Sequence, residues 1–497
     1  MTIDMLPGEA LLEIFDFYLY GNECIEAWRQ LVHVCRKWRN IVFGSPRRLD
    51  LHLHCTAMRP VKQLLYVWPD LPIVIKQYDP PTWGVDNIVA ALKHNERVCE
   101  ITFGSISSSL WENVLTMMQV PFPALSRLDL VSEDETVLAI PDPFLGGSAT
   151  HLRSLCLDGI LFPGLSKLLL SAIDLVYLDL SNIPHSGYIS PHAMVTGLST
   201  LTRLKSLSIN FQSPLSRPDQ KSRYPHPTRS VLPALTELRF TGVSEYLDDL
   251  VARIDTPRLN ILDIRFFLQL IFDTPQLARF IDRTPQLQKH DEARVVFSDS
   301  GASISLPRTY DDRRLELGIS CRKIDWQLLS LTQVCDSCFP HALISAVEHL
   351  HILERGFSSH HWEDDIESSQ WLDFLLPFTA MKNLYLSKEF APHIMPALQK
   401  LAGDRAREVL PALQYLHLEV PPTTTSPGGY QAVRCCATAP QIHENRFLTG
   451  QSTAYGWWTL INMRVSIRFA FGIVYLNTAI LLDAQWPGWP LRPDRRS

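Results

Sequence analysis

Leu152-Arg153-Ser154-Leu155-Cys156-Leu157, followed by Asp158-Gly159-Ile160, reads as a short strand with one apolar face. Leu155 and Leu157 alternate with Ser154, Cys156 and Asp158, which is the period of a pleated strand. Leu152 stands three residues ahead of Leu155. The phrase is therefore an apolar residue, two others, an apolar residue, one other, and an apolar residue. It occurs upstream as Val98-Ile101-Phe103 and Leu125-Leu128-Leu130. Downstream it occurs as Leu175-Leu178-Leu180, Leu204-Leu207-Ile209, Leu235-Leu238-Phe240 and Leu259-Leu262-Ile264. From Val98 to Leu259, successive first positions lie 27, 27, 23, 29, 31 and 24 residues apart. After a less regular stretch the phrase returns at Val347-Leu350-Ile352, Met381-Leu384-Leu386 and Leu413-Leu416-Leu418. Several copies add an apolar residue three further on, at Ile160, Ile183, Val243 and Phe267.

Self-similarity at this period marks stacked units, none of which buries its apolar side alone. Between the strands lie helical candidates at Val85–Lys93, Leu110–Met118, Tyr246–Arg253, Gln276–Ile281 and Ile366–Leu376. Strand, loop, helix, loop resembles the leucine-rich repeat, whose strands form one parallel sheet. The asparagine usual after the third leucine is replaced here by an apolar residue, and the last three copies step by more than thirty residues. The expected fold class is α/β: an irregular leucine-rich-repeat-like solenoid with a parallel sheet over residues 86–420. An ordinary α/β domain with buried parallel strands is the alternative. Residues between the leucines alternate to the other face. Asp129, Cys156, Asp179, Ser208 and Arg239 are the candidate target-binding residues on that open face.

The first 48 residues are patterned differently. Leu6-Pro7 opens a helix, because proline at the first helical position loses no hydrogen bond. Leu11, Ile14, Phe15 and Tyr18 recur at helical spacing, with Leu12 and Leu19 on another side. In a second helical pattern Trp28, Leu31, Cys35, Trp38 and Val42 share a face, and Gly44-Ser45-Pro46 ends it. A helical hairpin capping a larger domain is one reading. A helix with two apolar sides, the second for a partner, is the other. Leu6-Pro7-x-Glu9-x-Leu11-Leu12-x-Ile14-Phe15, followed by Val34-Cys35-Arg36-Lys37-Trp38-Arg39, resembles the F-box. The resemblance implies that Leu6, Pro7, Leu11, Ile14, Phe15, Val34, Cys35 and Trp38 bind the Skp-type adaptor of a cullin–RING ligase core. The segment Gly21–Glu26 is longer and less apolar than in short F-boxes. Residues 49–85 read as a connector. The combined plan is similar to the large F-box set of mushroom-forming fungi, and implies a receptor for an unknown protein substrate, located in the cytoplasm or nucleus. A repeat-based scaffold outside ubiquitination is the alternative.

Composition narrows the remaining classes. With 46% hydrophobic and 20% charged residues, the chain can bury a sizeable core. A net charge of -6 supplies no global basic field for nucleic acid. The ten cysteines are scattered and the start has no signal-peptide pattern, so free thiols are expected. Phe469–Leu482 is a run of 14 mostly apolar residues, short of a membrane span and flanked by Arg464, Arg468 and Asp483. Cys335-x-x-Cys338, with His341 and Cys321, has zinc-ligand spacing but lacks a second close pair, so no metal or other cofactor is expected. Phosphate-loop, HExxH and GxSxG motifs are absent, and no catalytic residue is expected. The insertion Gln212–Ser230 carries Arg217, Lys221, Arg223 and Arg229 and reads as a solvated loop, or as a basic contact for an acidic partner segment. The acidic stretch Ser359–Glu367 suits a helix N-terminus. Pro421-Pro422-Thr423-Thr424-Thr425-Ser426-Pro427-Gly428-Gly429 reads as a linker, and residues 421–497 as a divergent, poorly ordered tail outside the functional fold.

Overall fold

The computed structural model describes residues 6–20, 27–56, 61–77, 85–104, 108–132, 138–218, 229–268, 272–288, 290–308, 311–355, 367–387, 390–400 and 410–419. The segment Gly21–Glu26, the tail 421–497 with its apolar run, most of the acidic stretch and the middle of the basic insertion lie outside them. By contacts the chain forms two units, Met1–His290 with Ser300–Leu343, and Asp291–Asp299 with Ile344–Ser497.

In the first unit each repeat phrase becomes a strand, and two further strands precede the first of them. They are β1 (Leu53–Cys55), β2 (Ile73–Gln77), β3 (Val98–Phe103), β4 (Arg127–Val131), β5 (Ser154–Asp158), β6 (Tyr177–Ile183), β7 (Ser206–Phe211), β8 (Glu237–Gly242) and β9 (Ile261–Phe267). Each pairs with the next in parallel. The register is set by the leucines: Leu128 pairs with Leu155, Leu155 with Leu178, Leu178 with Leu207, Leu207 with Leu238 and Leu238 with Leu262. A slip of one residue would turn every one of them to the open face. The leading leucines Leu152, Leu175, Leu204, Leu235 and Leu259 are all fully buried, so the phrase contributes three core side chains per repeat.

Helices connect the strands. The expected ones are present as α5 (Val85–Leu92), α6 (Ser108–Met117), α9 (Ser244–Ala252) and α10 (Pro275–Arg283), joined by α7 (Leu165–Ser171) and α8 (Pro191–Leu198). Helix α8 begins with Pro191 at its first turn and Ser190 Oγ accepting from Ala193 N at 3.2 Å, the arrangement expected of a cap. Between β4 and β5 a short turn replaces the helix, with Leu145 and Gly146 at φ 54° and 66°. Gly159, just after β5, sits at φ 69°, and a Cβ there would lie 2.7 Å from Ser132 O. That position tolerates only glycine.

Three expectations need correction. The presumed connector 49–85 contains β1, α4 (Val61–Val67) and β2, so the ladder starts well before residue 86. The second N-terminal helix is two, α2 (Trp28–Val34) and α3 (Arg36–Gly44), because Cys35 between them is extended at φ -158° and ψ 171°. The less regular stretch holds β10 (Glu292–Ser298), β11 (Gly301–Arg308) and β12 (Asp311–Ser320). Strand β12 continues the parallel ladder beside β9, but β11 pairs antiparallel with β12. So short a connection cannot make the crossover that parallel strands need. Helix α11 (Ile324–Ser337) packs on this pair. The first unit is thus a mixed α/β structure with a large, mostly parallel sheet.

In the second unit β10, β13 (His349–Arg355), β14 (Asn383–Ser387) and β15 (Tyr415–Glu419) are parallel in that order. Leu350, Leu384 and Leu416 align, as do Ile352, Leu386 and Leu418. Helices α12 (Ser368–Leu375) and α13 (Ala391–Lys400) connect β13 to β14 and β14 to β15. Trp371, wholly buried, packs against Phe297 and Phe390 with ring centroids 5.9 Å away in both cases.

Candidate interaction surfaces

The residues between the leucines form rows across the ladder. In the first unit Lys76, Thr102, Asp129, Cys156, Asp179, Ser208, Arg239, Asp263 and Glu316 stand in register on successive strands. The five candidate target residues therefore share one row. Asp129, Cys156, Asp179 and Ser208 are half-buried and Arg239 is exposed, while the leucines beside them are buried. The flanking row is also polar. Arg127 pairs with Asp129 at 2.8 Å, Arg239 with Glu237 at 2.5 Å, and Arg314 with Asp263 at 3.0 Å and Glu316 at 3.3 Å. Between β4 and β6 acids predominate. Asp179 accepts from Ser181 Oγ at 2.8 Å and Asp158 from Asn182 Nδ2 at 2.7 Å. Burial, then the carboxylates of Asp179, Asp129 and Asp158, push the Cys156 thiol up to about 12. That thiol is protonated at neutral pH and is a poor nucleophile.

The second unit's open face is chemically distinct, and it is a site that residue-by-residue sequence reasoning did not identify. Arg294, His351, Tyr385 and His417 align across β10, β13, β14 and β15, with His417 itself buried. The His351 and Tyr385 rings stack at 4.1 Å with 3° between planes, and Tyr385 and His417 at 4.4 Å with 11°. His349, Asn383 and Tyr415 form the adjacent row, with Asn383 Nδ2 3.2 Å from His349 Nδ1. Glu292 holds Arg294 at 2.6 Å and lies 3.6 Å from His351. The signal was present as His349-x-His351 and Tyr415-x-His417, both at inter-leucine positions of the phrase.

At the N-terminus α1 (Gly8–Tyr20), α2 and α3 pack together. Leu11 and Phe15 are wholly buried, with Phe15 4.7 Å from the Trp38 ring. The resemblance implies that both meet the adaptor, for which they would have to be partly exposed; they are instead this module's own core. Pro7 and Val34 are exposed, Leu6, Cys35 and Trp38 are half-buried, and Ile14 is 44% exposed. Phe17, one turn from Ile14, is 81% exposed and was not singled out in sequence. Trp28 ties the module down, donating from Nε1 to His52 O at 3.2 Å and packing edge-on to Trp68 at 5.1 Å.

Cys335 is buried on α11 and Cys338 is buried just past its end, with Thr274 Oγ1 3.2 Å from Cys338 Sγ. Among the described residues no group of three or more His, Cys, Asp or Glu is placed to hold a metal ion. None of their helices is long and apolar enough to cross a membrane.

No protein-family model matches the chain, and no curated protein matches it. Among solved structures it is similar to the leucine-rich repeat-containing protein LegL7 from Legionella pneumophila, at 12% identity and a TM-score of 0.28, over 69% of this chain and 90% of that one.

Proposed function

We propose that this chain is a non-catalytic receptor subunit of a cullin–RING ubiquitin ligase, tethered through α1–α3 and presenting a protein target on the open face of its ladder. Catalysis would then be by proximity, with the scaffold positioning a target lysine and contributing no reacting group. The observation carrying this reading is the pairing of the F-box-like phrase with exposed apolar side chains on the same helices. Ile14, Phe17 and Val34 are 44%, 81% and 58% exposed, while Leu11 and Phe15 hold the module together from inside. Apolar groups left outside a packed module mark a surface for a partner. The reading also puts the chain in the cytoplasm or nucleus, where such ligases work. A scaffold that binds proteins through the same open face without joining a ligase is the second reading, supported by the polar rows of both units.

The test is an Ile14→Ala, Phe17→Ala double variant of the full chain, assayed by pull-down with a Skp-type adaptor. Anchor truncations at interfaces cost about 2–4 kcal/mol. The variant is expected to keep its melting temperature and lose adaptor binding. Undiminished capture of the adaptor, or no capture by the parent protein, would leave the scaffold reading in place.

A further inference from the structure

Beside the short parallel pairing of Ser230–Val231 with Ile254–Asp255, the first unit has an open cavity of about 450 Å³. Val231 and Pro257 form apolar parts of its wall, and Arg229, Arg283, Asp255 and Thr256 form polar ones. Arg283 is fixed by three bonds: Nε donates to Asp255 Oδ1 at 2.9 Å, and Nη2 donates to Val251 O at 2.6 Å and Ile254 O at 2.8 Å. Its Nη1 is shielded from solvent and has no protein acceptor. Thr256 is 3% exposed, and its Oγ1 also has no partner. A buried donor without an acceptor is costly, and two of them belong to side chains that line this cavity. Arg229 donates from Nε to Ala252 O at 3.3 Å and is itself exposed. Burial and the like charge of Arg229 both pull Arg283 below the usual arginine range. An anion placed between the two guanidinium groups would relieve the second effect.

We propose that this cavity binds the carboxylate of an acidic, apolar-flanked segment of a partner protein. Charge decides for a carboxylate. Two arginines against Asp255 leave one positive charge, which a single carboxylate neutralises and a phosphate dianion exceeds. Val231, 52% exposed, and Pro257 supply contacts for apolar residues beside the acid. Arg229 is the last basic residue of the insertion whose composition suggests contact with an acidic segment. The proposal does not depend on membership of a ligase.

The experiment is thermal unfolding of the full chain at matched ionic strength with four probes. They are acetyl-Pro-Val-Glu-Val-Pro-amide, its Gln counterpart, succinate and inorganic phosphate. A ligand that binds only the folded state raises the melting temperature in proportion to ln(1 + [L]/Kd). The Glu peptide is expected to give a saturable rise at millimolar concentration, and the Gln peptide none. Arg229→Gln, an exposed position, should keep the unliganded melting temperature and weaken the Glu peptide at least tenfold. Arg283→Lys, which keeps the charge and loses the fork, should weaken it similarly. The proposal is overturned by no rise with the Glu peptide, by equal rises with the Glu and Gln peptides, or by undiminished binding to Arg229→Gln. Phosphate or succinate binding as tightly as the peptide would likewise overturn it.

Discussion

Leu178 and Asp179 are chain neighbours in opposite environments, one 1% exposed in the core and the other half-buried on the open face. The alternation that separates them was legible because a strand admits only two directions for a side chain. On a helix the same inference is weaker. Leu11, Ile14 and Phe15 share an apolar stripe in the sequence, yet Leu11 and Phe15 face inward and Ile14 is 44% exposed. Which edge of a stripe faces the core depends on where α2 and α3 dock, and spacing along one helix does not contain that. Leu178→Ala should cost about 2–5 kcal/mol, the range for emptying a well-packed leucine site. Asp179→Ala should stay within about 0.5 kcal/mol, as surface substitutions usually do. Urea denaturation of both variants checks the pair, and equal costs would contradict the assigned faces.

The strands that the sequence reading missed share a physical reason. Every recognised copy carries an apolar residue three positions before its alternation, in the turn that leads into the strand. Strands β1, β2, β10, β11 and β12 have Asp50, Asp70, His290, Asp299 and Asp312 at that place. In β1 and β2 the buried leucines Leu51 and Leu71 stand one residue closer instead. Their alternation was present, but it lacked the leading residue by which a repeat is told from any short apolar run. Helix starts were equally local in places, as at Ser190, and elsewhere were not. Helix α10 opens with Pro275 and has no capping side chain of its own. Its first amides, Gln276 N and Leu277 N, donate to Asp248 Oδ1 of α9 at 2.8 and 2.9 Å. One carboxylate from the preceding repeat thus does the work of a cap and complements the helix dipole. Asp248→Ala should lower stability by about 1–2 kcal/mol, in line with lost caps. Asp248→Asn, which keeps an acceptor, should lose less. Chemical denaturation distinguishes them, and an Asn variant as unstable as the Ala variant would show that the charge alone matters.

At the scale of the molecule, the first unit buries or half-buries several thiols and phenols whose ionised forms its interior disfavours. Burial, reinforced by nearby carboxylates, pushes the Cys99 and Cys156 thiols up to about 12. Burial does the same for Cys338, despite the opposing bond from Thr274, and takes Tyr188 from 10.0 to about 12. Cys335 and Tyr246, fully buried, are raised as well. In the unfolded chain these thiols ionise near their ordinary values, about 8.5. Above that pH the unfolded state has released protons that the folded state still holds, so it binds fewer protons and stability falls with rising pH. The contribution is complete below about 8.5 and is lost progressively as pH climbs through the folded-state values near 12. Melting temperatures taken under reducing conditions should therefore fall steadily from pH 9 to pH 11. Replacing Cys156 by alanine should reduce the slope, because its ionisable group is removed from both states. A melting temperature that holds constant or rises over this interval would contradict the burial assigned to these cysteines.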